Sequence, residues 1–289
     1  MISFKLEWQI NKRHYCLELG KRTRIMGILN TTPDSFSDGG RYLKCDDAVA
    51  HGVRLFEAGA DILDIGGESS RPFSAPVSVQ EELDRVIPVI EKLAGKIDIP
   101  ISIDTVKSAV AKEAINAGAS IINDITALKR DELMVCVAAQ MGTPVILMHM
   151  KGTPATMQIN PQYDDLLGEI ASYLKERAKF AVNGGVSSDR IILDPGIGFG
   201  KTVEHNLVVI KHLDKIAAIG FPILVGPSRK SFIQKSLSAS AATPIASTIE
   251  AGTMAAVAAS IMKGAHIVRV HDVLSARAVA NIIDAVQNV

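Results

Sequence analysis

Polar side chains that could bind a ligand follow eight short apolar runs of the chain. They are Asn30, Asp64, Asp104, Asn123 with Asp124, His149, Asp194, Ser228 with Arg229 and Lys230, and Arg269 with His271. Carboxylates and an amide suit the polar edge of a planar heterocycle, whereas Arg, Lys and His side chains suit phosphate oxygens. A single Asp after a strand is usually a helix cap, but eight such positions favour one converging site. The alternative is that the acidic and basic groups neutralise each other as ion pairs.

The glycine-rich stretch DPGIGFGKT (194–202) is similar to a phosphate loop but lacks its spacing. Pro195 stands where the P-loop needs its first glycine, and Lys201 stands where the dinucleotide fingerprint needs its third. Nucleotide sites are therefore disfavoured, and the glycines are predicted to let backbone approach a flat ligand beside the ring of Phe199. No HExxH, CxxC or clustered histidine pattern favours zinc. A magnesium ion held by Asn30, loop carboxylates and ligand phosphate would leave little trace in a sequence.

The apolar runs predict strands that are covered on both faces, because they are short, nearly continuous and rich in Ile and Val. They cover 25–29, 62–65, 99–103, 120–122, 145–148, 191–193, 223–225 and 267–270. The segments between them have helical spacing, and Ser78 with Glu81 predicts a capping box at the start of one helix. Asp46 is predicted to cap another helix. Glycines that follow the helices, including Gly184, fit the left-handed residue that closes a helix.

Eight strand–helix alternations predict an α/β fold of the (β/α)8 TIM-barrel type, and a doubly wound open sheet is the alternative. Residues 1–20 precede this pattern and predict an N-terminal β-hairpin, because apolar and polar residues alternate on both sides of Asn11 and Lys12. No Pro/Gly/Ser-rich linker interrupts the chain, so 1–289 is predicted to be a single domain. In a barrel of this type the polar strand ends would meet at one mouth.

The composition excludes several classes of protein. Of the 289 residues 47% are hydrophobic and 21% are charged, with 31 basic and 31 acidic side chains, so disorder is excluded and the net charge is zero. With only 4% aromatic residues as well, no nucleic-acid partner is expected. No signal-peptide pattern or membrane-length apolar run predicts a membrane partner. The cysteines Cys16, Cys45 and Cys136 lack metal-like or paired spacing, which predicts free thiols in the cytoplasm.

Seven motifs occur in the order typical of one enzyme family. They are GILNTTPDSFSDGG (27–40), DIGGESSRP (64–72), SIDTVKS (102–108), INDI (122–125), LMHMKGTP (147–154), LDPGIGFGKT (193–202), and SRKSF (228–232) with RVHDV (269–273). Together they resemble the pterin-binding dihydropteroate synthases over nearly the whole chain. The resemblance implies a transferase that joins 6-hydroxymethyl-7,8-dihydropterin pyrophosphate to para-aminobenzoate in folate biosynthesis. It releases 7,8-dihydropteroate and pyrophosphate with the help of Mg²⁺, and its subunits form a homodimer through the last helices.

The resemblance also implies a role for each matching residue. The pterin would be held by Asp64, Asp104, Asn123, Met148, Asp194, Phe199 and Lys230. The pyrophosphate would be held by Asn30, Ser70, Arg71, Arg269 and His271, with Mg²⁺ at Asn30. The para-aminobenzoate pocket would be formed by Phe36, Ser70, Pro72, Phe199, Lys230 and Ser231. The residues expected to act in catalysis are Asn30, Asp38, Asp104, Lys230, Arg269 and His271.

The second loop departs from the family pattern GGESTRPG at two positions. Ser70 replaces a threonine and keeps the hydroxyl, whereas Phe73 replaces a glycine. If that glycine has positive φ, phenylalanine must alter the path of the loop beside the aminobenzoate pocket, where sulfonamides compete. We therefore predict that Phe73 alters the discrimination between para-aminobenzoate and sulfonamides. The alternative is that Phe73 packs on the surface of the loop.

Two other functions would use the same ring site. One is a pterin-binding methyltransferase domain that passes a folate methyl group to a corrinoid protein, and the other is a non-catalytic pterin-binding module. The methyltransferase would need neither a pyrophosphate cluster nor the NTTPDSFSDGG loop (30–40). Substitution of Arg269 separates these readings, because it should cripple a synthase and affect simple pterin binding much less.

Overall fold

The computed structural model describes residues 2–31, 41–69, 75–238 and 245–289, and of residues 41–44 the backbone alone. The chain begins with an antiparallel hairpin of β1 (Phe4–Ile10) and β2 (Arg13–Leu19), in which Ile10 pairs with Arg13. Asn11 and Lys12 form the turn with φ of +47° and +66°. Two positive φ angles are typical of a two-residue turn whose twist matches that of the strands, so the predicted hairpin and its turn are confirmed.

Parallel strands then form a nearly closed barrel. They are β3 (Arg24–Asn30), β4 (Ile62–Gly66), β5 (Ile101–Asp104), β6 (Ile121–Asp124), β7 (Val145–Met148), β8 (Ile191–Asp194), β9 (Leu224–Val225) and β10 (Ile267–Val270). Their order is β8-β7-β6-β5-β4-β3-β10-β9, and a bridge from Leu193 to Ile223 joins the two edges. Nearly all residues of these strands are buried, as expected for strands covered on both faces. The predicted TIM barrel is confirmed.

Helices surround the barrel and connect the end of each strand to the start of the next. They are α1 (Arg41–Glu57), α2 (Val79–Ala94), α3 (Ser108–Ala117), α4 (Met134–Met141), α5 (Leu166–Asn183), α6 (Val203–Lys211), α7 (Leu213–Ala217), α8 (Ser231–Ser238), α9 (Ala246–Met262) and α10 (Val273–Gln287). Ser78 caps α2, because its hydroxyl accepts a hydrogen bond from the amide of Glu81 at 3.2 Å. Only this half of the predicted capping box forms, since the Glu81 carboxylate pairs with Arg85 instead. No helix in the described part of the chain is both long and apolar enough to cross a membrane.

Two local predictions about helix ends were wrong. Asp46 lies within α1 instead of capping it, and its carboxylate pairs with Lys92 on α2 at 2.6 Å. Gly184 has a φ of −80°, and the left-handed residue after α5 is Gly185, with a φ of +96°. Gly184 is needed for close packing instead, because a Cβ there would lie 2.2 Å from a methyl group of Val135 on α4.

The hairpin covers the N-terminal end of the barrel. Asn11 donates to the carbonyl of Ile115 at 2.9 Å, and Arg13 donates to the carbonyl of Ala94 at 2.6 Å, so both contacts are with helix residues that precede a strand. Trp8 is 2% exposed and stacks on Tyr15 with 5.4 Å between the ring centroids. The hairpin therefore closes this end, and the polar strand ends lie at the opposite end of the barrel.

Candidate active site

A cluster of two carboxylates, an amide and a guanidinium lies inside the mouth of the barrel. Asp64 is fully buried on β4, and its Oδ2 accepts from Arg269 Nε at 2.6 Å and from Asn123 Nδ2 at 3.1 Å. Arg269 Nη2 also donates to Asp104 Oδ2 at 2.9 Å. Asp64 Oδ1 has no hydrogen-bond partner among the described residues. Because a buried acceptor is costly to leave unpaired, a ligand donor or a water would complete this cluster.

The charges of this cluster are strongly coupled. Burial, followed by the charge of Asp64, raises the pKa of Asp104 to about 7, and Arg269 opposes that rise. Burial acts to lower the pKa of Arg269, but Asp64 and Asp104 together raise it above its ordinary value. The guanidinium therefore stays cationic, and one cation offsets only part of two carboxylates. The cluster can hold a negative charge close to a ligand that develops positive charge.

Asp194 ends β8 on another side of the mouth, where it pairs in register with Met148 of β7. Its Oδ1 accepts a hydrogen bond from the amide of Gly196 at 2.7 Å. Burial raises the pKa of Asp194 to about 6, and the Gly196 amide, Lys230, Lys201 and Arg269 act in the opposite direction. An ionised carboxylate in this position can accept two parallel hydrogen bonds from the amino–imino edge of a heterocycle.

An apolar wall stands beside Asp194. Met148, Met157 and Phe199 form a small buried cluster of their own. The ammonium of Lys230 lies over the ring of Phe199, 4.0 Å from its centroid, which is a cation–π contact. A flat ring and a cation beside a buried carboxylate make a slot for a planar polar ligand, so four residues predicted to hold the pterin lie together here: Met148, Asp194, Phe199 and Lys230.

The remaining predicted residues of the described part lie at or just after the ends of β3, β9 and β10. His271 follows β10, and its Nδ1 lies 2.9 Å from the hydroxyl of Ser228 after β9. Asn30 is the last residue of β3 and pairs with Gly66 of β4. Gly66 in turn pairs with Asp104 of β5, so Asn30 lies two strands away from Asp104 at the same level of the barrel. Ser231 is exposed at the first residue of α8. The predicted residues Phe36, Asp38, Ser70, Arg71, Pro72 and Phe73 lie outside the described residues.

Three of the polar strand ends have structural roles instead. The carboxylate of Asp124 accepts from the amides of Thr126 and Leu128, at 2.7 and 2.9 Å. His149 is buried against Lys201, and Arg229 pairs with Glu250 on α9. Of these three residues only Arg229 forms an ion pair; Asp124 holds a turn and does not cap a helix, and the His149 ring hydrogen-bonds to the Lys201 side chain. In the sequence, Lys201 was considered only as a departure from the dinucleotide-binding glycine pattern. Its position in an apolar, glycine-rich stretch was the feature that could have indicated a buried lysine.

The described residues contain no group of three or more His, Cys, Asp or Glu side chains that could hold a metal ion. Asn30 can offer one amide oxygen at the end of β3. Mg²⁺ usually keeps several waters and takes few protein ligands when substrate phosphates are present. This donor set therefore fits an ion held largely by the phosphate oxygens of a ligand, and it does not fit a preformed protein cage.

The chain and its barrel are similar to those of known pterin-binding enzymes. The family profile described as pterin binding enzyme matches residues 26–271. The dihydropteroate synthase of Synechocystis sp. is 47% identical over 266 residues, which cover 92% of this chain and 91% of that relative. A solved structure of the Xanthomonas albilineans dihydropteroate synthase with 4-aminobenzoic acid has a TM-score of 0.88 and 42% identity and covers 100% of both chains. The Yersinia pestis enzyme with a sulfonamide drug complex also has a TM-score of 0.88 and 42% identity, with 98% of this chain and 99% of that one covered. The chain belongs to the dihydropteroate synthases, a family of transferases.

Proposed function

We propose that this chain condenses 6-hydroxymethyl-7,8-dihydropterin pyrophosphate with para-aminobenzoate to give 7,8-dihydropteroate and pyrophosphate. The bond between the ring-attached methylene and the pyrophosphate oxygen breaks, and the amine nitrogen forms a bond to the methylene and loses a proton. The observation that carries this proposal is the convergence of Asp64, Asp104, Asn123, Asp194 and Lys230 at one end of the barrel, beside the ring of Phe199. It supplies the acceptors, the donor and the flat wall that a pterin requires.

Each side chain of the slot has a distinct task in this proposal. Asp194 accepts from the amino–imino edge of the pterin, and Lys230 donates to the ring carbonyl. Asp104 and Asn123 bind the ring from the neighbouring strands, and Phe199 with Met148 packs against its face. Asp64 acts through its contacts, because its Oδ2 orients both Asn123 and Arg269.

The reaction is proposed to be dissociative. An arylamine is already neutral at pH 7, so its attack needs no strong general base, and departure of pyrophosphate is the difficult step. Electron release from the dihydropterin stabilises the positive charge that develops at the methylene carbon. The partly uncompensated carboxylates of Asp64 and Asp104 favour the same charge, because both are largely buried and are held in place by Arg269. Catalysis then depends on electrostatics and positioning.

The leaving pyrophosphate is proposed to be bound by Arg269, His271 and Asn30, with Ser70 and Arg71 from the second loop. Arg269 uses Nε and Nη2 toward Asp64 and Asp104. A guanidinium has five N–H donors, so three remain for phosphate oxygens. Mg²⁺, held by Asn30 and the pyrophosphate, would neutralise the charge that develops on the leaving group. Asp38 is proposed to help close the site over the reaction.

The aminobenzoate pocket is proposed to lie between Phe36, Ser70, Pro72, Phe199, Lys230 and Ser231, where sulfonamides would compete. Since Phe73 replaces the glycine that this loop has in the family, we expect Phe73→Gly to change the ratio of the sulfonamide inhibition constant to the KM for para-aminobenzoate. Steady-state kinetics of both proteins test this. Val79→Ala, a change at an exposed position of α2, is the control. An unchanged ratio in Phe73→Gly would mean that Phe73 only packs on the loop surface.

A homodimer through the last helices is also proposed. Leu274, Ile282 and Val286 are exposed on one face of α10, at helical spacing, and Met262 is exposed at the end of α9. An apolar helix face of this kind fits a second copy of the chain, and sedimentation equilibrium of wild type and Ile282→Glu tests it. We also place the protein in the cytoplasm, which suits the three free cysteines.

The first experiment mixes purified protein with the pterin pyrophosphate, para-aminobenzoate and Mg²⁺ and follows dihydropteroate and pyrophosphate by chromatography. We expect both products in equal amounts, and only when both substrates are present. A reaction without para-aminobenzoate and one with Asp194→Asn protein are the controls. Binding of the pterin without product would favour the non-catalytic module or the methyltransferase domain, and absence of pterin binding would overturn all three readings.

A further inference from the structure

Lys201 is a buried cation that the proposed reaction does not use. It follows the turn 195–200 and is 2% exposed. Its Nζ donates to the carbonyls of Gly196 and Phe199 at 3.0 and 3.1 Å and to Nδ1 of His149 at 3.0 Å. An ammonium has three donors, and these acceptors match all three. A buried charge is costly unless it is hydrogen-bonded in this way, so the geometry is built around this side chain.

The turn that Lys201 holds carries two contacts of the pterin slot. The amide of Gly196 binds the Asp194 carboxylate, and the ring of Phe199 forms the apolar wall beside Lys230. Gly196 has a φ of +70°, and a Cβ there would lie 1.9 Å from the carbonyl oxygen of His149. The backbone of the turn is thus pressed against the end of β7 in a conformation that only glycine adopts easily. Such a turn needs a contact that keeps it in place.

We propose, as a step that rests on the proposed function, that Lys201 is a positioning residue for the pterin ring. It ties the turn 196–199 to His149 at the end of β7. These hydrogen bonds keep the Gly196 amide in contact with the Asp194 carboxylate. They also keep the ring of Phe199 beside Lys230, where it forms the apolar wall of the slot. Lys201 does not touch the ligand, because its three donors are already used within the protein.

The charges around this tie give it a measurable signature. Asp194 faces three cations, Lys201, Lys230 and Arg269, and each acts to lower its pKa against the effect of burial. Burial lowers the pKa of Lys201 to about 7, and Asp194 opposes that change, so the ammonium with its three donors prevails below neutral pH. Burial, followed by Lys201, lowers the pKa of His149 to about 2, so its ring is neutral and Nδ1 can accept the hydrogen bond. Loss of Lys201 therefore raises the pKa of the carboxylate that the pterin needs in its ionised form.

The test compares Lys201→Met with wild type in the binding of 6-hydroxymethylpterin, by titration calorimetry from acidic to neutral pH. We expect the Kd to rise roughly 10- to 100-fold, the loss typical for hydrogen bonds to a charged group. We also expect the acidic limit of binding to move to higher pH, and the KM for the pterin substrate to rise more than kcat falls. Arg190→Met is the matched control, because Arg190 donates to the carbonyl of Gly142 just before β7, at the other end of the barrel. It should lower stability without changing Kd or its pH dependence.

A second variant keeps the inference testable if Lys201→Met does not fold. His149→Leu removes one acceptor and leaves the lysine in place, so we expect a smaller rise in Kd and a change in the same pH range. A folded Lys201→Met protein with the Kd and pH dependence of wild type would overturn the inference. If the Lys201→Met protein is insoluble, a His149→Leu protein that binds 6-hydroxymethylpterin with the wild-type Kd would overturn the inference instead. Failure of the wild-type protein itself to bind the pterin would overturn the proposed function, and this inference with it.

Discussion

Asp104 and Asp194 show how the surroundings of a carboxyl group in the barrel mouth change its pKa. Both carboxylates are raised in pKa by burial first, but Asp104 lies beside a second carboxylate, whereas Asp194 faces cations. The two groups therefore titrate at different pH values, about 7 and about 6. Only the ionised form of each carboxyl offers an acceptor on both oxygens, so protonation weakens its hydrogen bonds to a pterin. The pH dependence of the reaction should report this difference.

The value of kcat/KM for the pterin substrate is expected to fall as the pH decreases through about 7, and more steeply below about 6. These values belong to the free protein, which is the species that kcat/KM reports. The contribution of these carboxyl groups to the free energy of unfolding should change with pH in the opposite direction to kcat/KM. A carboxyl with a raised pKa binds its proton more tightly when folded, so its contribution to the free energy of unfolding decreases as pH rises from about 4 to about 7. A flat rate profile across this range would contradict the assignment.

Arg269 is expected to matter more for the transition state than for the bound pterin. Arg269→Met removes a cation from the leaving group and leaves Asp64 and Asp104 without their guanidinium. We expect kcat/KM to fall by about 10²–10³, the loss typical of one anion-stabilising contact. The assay is best made well above neutral pH, where Asp104 stays ionised without Arg269.

The Arg269 result is judged against the Kd for 6-hydroxymethylpterin, which should change much less than kcat/KM. Arg229→Met is the control, because Arg229 also follows a barrel strand but pairs with Glu250 of α9 and not with Asp64 or Asp104. Equal losses in binding and in kcat/KM would favour a simple pterin-binding module over a synthase.

At the scale of elements, a buried ion cluster joins the end of β4 to α2 and α3. Lys107, just before α3, pairs with Glu68 after β4 at 2.6 Å and with Glu82 of α2. Glu82 is fully buried, and its Oε1 has no hydrogen-bond partner in the described ranges. The ion pair with Lys107 therefore offsets much of the cost of burying this carboxylate.

Lys107→Met is expected to lower the free energy of unfolding by about 3–5 kcal/mol, because it leaves the Glu82 charge buried without a cation. Urea unfolding measures this loss. Lys92→Met is the control, since Lys92 makes an exposed pair with Asp46 whose removal costs about 1 kcal/mol or less. The double variant Lys107→Met, Glu82→Met should recover part of the loss. If it is no more stable than Lys107→Met, the unpaired charge is not the cause.

At the scale of the whole molecule, the two ends of the barrel have separate tasks. The hairpin covers the N-terminal end with Leu6, Trp8 and Leu17, which join the same hydrophobic core as the barrel strands. Asp64, Asp104, Asn123 and Arg269 occupy the other end. Stability and activity should therefore respond to different substitutions.

Trp8→Ala is expected to lower the free energy of unfolding by about 3–5 kcal/mol, the cost of truncating a large buried aromatic side chain. The kcat of the folded fraction should be unchanged, because the hairpin lies at the closed end of the barrel. Thermal unfolding and a rate assay well below the melting temperature measure the two effects. Gln9→Ala, at the exposed neighbouring position, is the control. A large fall in kcat would show that the two ends are coupled.

Several features of this protein were determined by the sequence alone. Alternation predicted the hairpin and its turn at Asn11 and Lys12, and eight apolar runs predicted the barrel strands. These features depend on local backbone geometry, namely the period of side chains along a strand and the positive φ that a tight turn needs. The motifs also predicted the family. The prediction of one domain over 1–289 and the roles assigned to all the site residues, including Phe36, Asp38, Ser70, Arg71, Pro72 and Phe73, stay predictions.

Only the tertiary structure decided which polar residues share the mouth. Asn123 and Asp124 are neighbours in sequence, yet Asn123 binds Asp64 in the cluster and Asp124 holds the turn that follows β6. Asp64 and Arg269 are 205 residues apart and come within hydrogen-bond distance only because β10 pairs with β3, which pairs with β4. Lys201 likewise acquires its third acceptor, His149, from another strand. The periodicity of a sequence shows which side chains share a face of an element, but the order and register of the strands decide which of them touch.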